Sequence, residues 1–69
     1  MSAYRVTLTG TQRVNGVREG LTLREAVAKV NNNIDTNCSS SDAQAAISVY
    51  GVAHYSDRFG NGSAKVEMI

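Results

Sequence analysis

The sequence predicts one small α+β domain of order β-α-β-β, with one helix packed on a three-stranded sheet that ends in an antiparallel hairpin. Three observations carry that prediction. Residues 3–9 alternate apolar and polar side chains. Thr22 to Glu25 form a helix-start signature, followed by a single apolar stripe. Two further strand-like runs flank a glycine-containing loop at 57–62.

The first strand follows from period 2. Tyr4, Val6 and Leu8 alternate with Arg5, Thr7 and Thr9, so one face is buried and one is open. Gly10 interrupts the run as a bulge or bend. The phase resumes at Gln12 and Val14, and the expectation is one long bent strand reaching Val14, with a tight hairpin around Gly10–Thr11 as the alternative. Asn15-Gly16 is a turn dipeptide, because both residues tolerate positive φ. Residues 17–20 then read as a connecting loop.

The helix starts at Thr22. In Thr22-Leu23-Arg24-Glu25 the Thr hydroxyl accepts the N–H of the third helical residue, and the Glu carboxylate reaches back to the cap N–H. Leu23, Ala26, Val27, Val30 and Ile34 lie on one stripe of a helix from about 23 to 34. Residues 31–41 are polar and turn-rich, with Ser39–Ser41 expected as an exposed loop and an Asn expected to stop the helix in the left-handed conformation.

Residues 42–56 send mixed signals. Ser41 and Gln44 could open a second helix, and Ala43, Ala45 and Ala46 favour one. From Ile47 the chain is rich in β-branched and aromatic residues. The expectation is a strand over about 46–56, preceded by at most one helical turn. Tyr50, Val52 and His54 then share a half-apolar far face of the sheet. Residues 57–62 read as a hairpin loop, and 63–69 as the last strand. Strand order is open. A right-handed crossover is the default if strands 1 and 2 are parallel.

Composition removes several function classes. At 69 residues the chain holds one domain with a marginal core. One cysteine, Cys38, allows no internal disulfide, and with one histidine, His54, the usual Cys/His zinc cluster cannot be built. A homodimer is therefore an expected support. Net charge is +1. Arg5, Arg13, Arg18, Arg24 and Lys29 face only Glu19 and Glu25 in the first thirty residues, so the remainder is acidic. That mild dipole is far from the concentrated basic surface that nucleic-acid phosphates require. No segment resembles a signal peptide or a membrane span, and the lone thiol suits a reducing compartment, so a whole, cytoplasmic small protein is expected.

Catalytic constellations are not evident. Cys38 reads as an incidental thiol and His54 as a strand-face residue. The six carboxylates form no acid/base couple, and Gly60-Asn61-Gly62 lacks the Lys-Ser/Thr of a phosphate loop. The sequence predicts no enzyme, no cofactor and no metal. The expected function is protein binding, with an inhibitor carried by a phage or mobile element as one form of it. Arg5, Arg18, Arg24, Tyr50, His54, Arg58 and Phe59 are the candidate contact residues, because Tyr and Arg recur in interface hot spots. A nucleic-acid binder using the N-terminal arginines and a self-assembling accessory subunit are the alternatives.

Overall fold

A computed structural model describes residues 2–69. They form β1 (Tyr4–Thr9), β2 (Gly16–Leu21), α1 (Leu23–Asn33), α2 (Ser40–Tyr50), β3 (Val52–Ser56) and β4 (Ser63–Met68). The sheet is antiparallel throughout, with order β2-β1-β4-β3. The class is α+β, as expected. The order β-α-β-β is corrected to β-β-α-α-β-β, with four strands and two helices. Because every pair is antiparallel, no parallel crossover arises.

The first correction concerns residues 10–21. The chain turns at 10–15 and returns as β2, so neither the long bent strand nor the loop over 17–20 forms. The turn is held by Asn15. Its side chain accepts from the Thr11 N–H at 2.7 Å and donates to the Thr11 carbonyl at 3.0 Å. That two-point grip outweighs the continuing period of Gln12 and Val14. Gly20, read as part of a connector, sits at φ +74° where the β1–β2 register shifts. A bulge there needs a residue that tolerates this φ.

The capping box at α1 forms as predicted. Glu25 N–H donates to the Thr22 hydroxyl at 3.1 Å, and Thr22 N–H donates to the Glu25 carboxylate at 2.9 Å. The helix stops one residue early, at Asn33. No left-handed residue ends it. Instead Ile34 is extended, and the Asn33 side chain donates to the Lys29 carbonyl at 2.8 Å.

The second correction concerns residues 39–51. Ser39 is a helix cap, accepting from Asp42 N–H at 3.2 Å, and α2 runs on through the β-branched Ile47 and Val49. Tertiary packing decides this. Ala43, Ala46 and Ile47 stand at helical spacing and meet the core. The helix ends at Gly51, with φ +80°, and β3 begins only at Val52.

Both helices cover one face of the sheet. Cross-strand rows build that face: Val6, Val66 and Ala53 in one, Leu8, Ala64 and Tyr55 in the next. Val6, Val30 and Val66 are the largest fully buried side chains. Ala26, Ala43, Ala53 and Ala64 complete the buried cluster. Such small side chains let the helices approach the sheet closely, which is how a short chain reaches dense packing.

Candidate protein-interaction surface

The β3–β4 hairpin is fixed at its tip by one carboxylate. Asp57 Oδ2 accepts from the N–H groups of Phe59 at 2.8 Å and Asn61 at 3.1 Å. Its Oδ1 accepts from Asp35 N–H at 2.6 Å, joining the tip to the α1–α2 connection. These donors hold the Asp57 carboxyl below the usual carboxylate range, the Asp35 N–H contributing most. The backbone adds Gly60 N–H to Asp57 carbonyl at 3.0 Å, Asp57 N–H to Gly62 carbonyl at 2.9 Å and Arg58 N–H to Asp35 carbonyl at 2.9 Å. The Arg58 guanidinium also lies 3.3 Å from the Asp35 carboxylate.

Gly62 closes the tip against the β1–β2 turn. A Cβ there would stand 2.9 Å from Thr11 backbone and side-chain atoms, at φ +119°. Gln12, Arg13, Asn33 and Asn61 border a polar hollow at this end of the sheet. Their polar groups are engaged with the protein itself. Gln12 donates to Asn61, Arg13 to the Asn32 carbonyl, and Asn33 accepts from Val14 N–H. The hollow is a seam joining three loops.

Phe59 does not fold back on the core. It is 73% exposed on an ordered turn. At the other end of β3, Tyr50 is 78% and Val49 72% exposed. These three are the most exposed large apolar side chains among the described residues, and they flank β3 at both ends.

The seven candidate contact residues therefore separate. Tyr50, His54, Arg58 and Phe59 belong to β3 and its flanks. Arg18 is exposed on β2, and Arg24 is exposed in the first turn of α1. Arg5 stands on the far face of the sheet, donating to Glu19 and, at 3.3 Å, to Glu67. Lys65 approaches Glu67 at 3.8 Å. The expected half-apolar far face is corrected. Tyr50 is helical, and Val52 and His54 border a ladder of opposed charges.

Cys38 and His54 do not meet. Cys38 is buried on the helix side of the sheet, beside Tyr55, while His54 points from the opposite face. Burial pushes the Cys38 thiol up and outweighs the opposing effect of the Tyr55 hydroxyl. The Tyr55 phenol is itself pushed up by burial. Neither group is poised as a nucleophile. Among the described residues, no three His, Cys, Asp or Glu side chains are placed to hold a metal ion, and no helix is long and apolar enough to cross a membrane.

The role of Asp57 was not among the sequence expectations. Its signal is an Asp at the first position of a glycine-containing loop, the usual place for a side chain that accepts from N–H groups further on. In comparisons with known proteins, no family model, curated protein or solved structure matches the chain.

Proposed function

We propose that the chain is a non-enzymatic protein-binding module whose contact surface is the margin formed by β3, the hairpin tip and the last turn of α2. One observation carries this reading: Phe59 is largely exposed to solvent on a turn that Asp57 holds through three hydrogen bonds. A turn whose backbone is ordered before contact loses little freedom on binding, and aromatic and Arg side chains dominate interface energies. Arg58 stands beside it, steadied by Asp35. Occlusion of a larger protein, the mode of a stoichiometric inhibitor, needs no chemistry beyond such contacts.

The nucleic-acid reading has less support. It requires a concentrated basic surface. Arg5 is committed to two carboxylates and Arg13 to a backbone carbonyl, while Arg18 and Arg24 lie on separate elements.

The test is capture of partners by the wild-type chain and by an R58A/F59A double variant at equal concentration. Loss of the captured proteins by the variant, with its thermal midpoint unchanged, supports the margin as the binding surface. An unchanged partner set removes the hairpin tip from the function.

A further inference from the structure

We propose that a partner of this margin is a second copy of the same chain, joined edge to edge through β3 in an antiparallel pair whose two-fold axis passes beside His54. The proposal rests on the binding-module reading and names its partner.

The two edges of the sheet are built differently. β2 carries Arg18 and Glu19, a register shift, and positive-φ glycines at residues 16 and 20. Charges and bulges of this kind keep an edge from pairing with another chain. β3 has the sequence Val-Ala-His-Tyr-Ser, with no Asp, Glu, Lys, Arg, Gly or Pro, and its register with β4 is regular. Its outer edge has no neighbour among the described residues.

Symmetry then selects an occupant. An axis perpendicular to the sheet keeps the helix side of both copies on the same side, and it pairs residues equally distant from the axis. Centred on His54, it sets the small Ala53 of each copy opposite the large Tyr55 of the other on the helix side. Val52 falls opposite Ser56 on the far side. The same operation in the middle of β2 would set Arg18 against Arg18 or Glu19 against Glu19, like charges in direct opposition.

The flanks follow from the same register. The Gly51 end of one strand lies beside the Asp57 end of the other. Val49 and Tyr50 of each copy thereby approach Arg58 and Phe59 of the other. One rotation brings the ends of the strand that carry all three of the most exposed large apolar side chains to the contact, twice over. A five-residue strand is about 17 Å long, which places the contact at the low end of stable interface sizes. The dimer is therefore concentration-dependent.

A His54→Cys variant tests the axis. Opposed Cα atoms about 4.5–5.5 Å apart lie within disulfide reach. Under mild oxidation H54C should become a covalent dimer at least about ten-fold faster than V17C, its counterpart on the β2 edge. The unmodified chain, whose Cys38 is buried, is the background. Sedimentation equilibrium of the unmodified chain from about 5 µM to 1 mM should show a monomer–dimer transition, weakened about ten-fold or more by F59A. A chain that remains monomeric at about 1 mM, or a V17C that cross-links as fast as H54C, overturns the proposal. If the chain stays monomeric but R58A/F59A still loses captured proteins, self-association alone fails. If no partner is lost either, the margin fails as a binding surface.

Discussion

Asn31 holds both backbone polar groups of Cys38: its side-chain NH2 donates to the Cys38 carbonyl at 2.8 Å, and its carbonyl accepts the Cys38 N–H at 3.1 Å. Asn15 does the same for Thr11. Each grip satisfies a buried residue in an irregular segment, where neither helix nor sheet supplies partners. Asn31→Ala should destabilise the fold by about 1–3 kcal/mol, the usual range for two partly buried hydrogen bonds. It should also speed labelling of the Cys38 thiol by a disulfide reagent. Urea denaturation and labelling kinetics check the two effects, and unchanged labelling would show that the loop stays closed without Asn31.

Gly62 and Gly60 differ in what surrounds them. Both have positive φ, but only at Gly62 does an added Cβ meet Thr11 at 2.9 Å; at Gly60 the space is open. Gly60→Ala should cost about 1 kcal/mol from backbone strain alone. Gly62→Ala should cost about 3 kcal/mol or more, since the β1–β2 turn must also move. Denaturation midpoints of the two variants give the comparison, and equal losses would remove the packing of Gly62 against Thr11 as a constraint.

Acid should loosen the hairpin tip. The Asp57 carboxyl is held below its ordinary value of about 4. Its contribution to stability is therefore fully present above that value and is lost as pH falls through the lower folded value. Asp57→Asn should flatten the dependence of stability on pH below about 4. Some slope should remain, because the Glu25 carboxyl is also lowered, chiefly by the Thr22 N–H. Urea midpoints measured from neutral to acid pH give the slope, and an unaltered slope in the variant would assign it to other carboxylates.

The two helix caps should act independently. Thr22→Ala and Ser39→Ala remove acceptors at the starts of α1 and α2. Each should cost about 1 kcal/mol, and the double variant about the sum. A Ser39→Ala variant with unchanged stability would mean that packing alone holds the start of α2.

The parts of the fold legible in the sequence were those set by near neighbours. The Thr22–Glu25 box, the alternation in β1 and the glycine-rich composition of the loop at 57–62 are signals carried within a few residues of chain, although the loop is also tied to Asp35 and Thr11. β2 was not legible. Val17-Arg18-Glu19-Gly20 has no apolar alternation, because this edge strand is exposed along nearly its whole length. α2 is masked in the sequence for another reason. Ile47 and Val49 favour strands locally, but the sheet surface accepts Ala43, Ala46 and Ile47 only at helical spacing. Gly51 was the available stop signal. Of the proposed margin, Tyr50, His54, Arg58 and Phe59 were named from residue type, but their shared position around β3 required the hairpin register.

One backbone hydrogen bond has a practical consequence. Ile69 N–H donates to the Ala3 carbonyl at 2.9 Å, so the first and last described segments meet at one corner, at the opposite end of β4 from the hairpin tip. A few added residues would join them into a ring. New ends opened within residues 10–15 would then give a circularly permuted chain with the same sheet. A fluorophore or affinity tag attached next to Ala3 or Ile69 would stand a full strand length from Phe59, leaving the hairpin tip accessible during measurement.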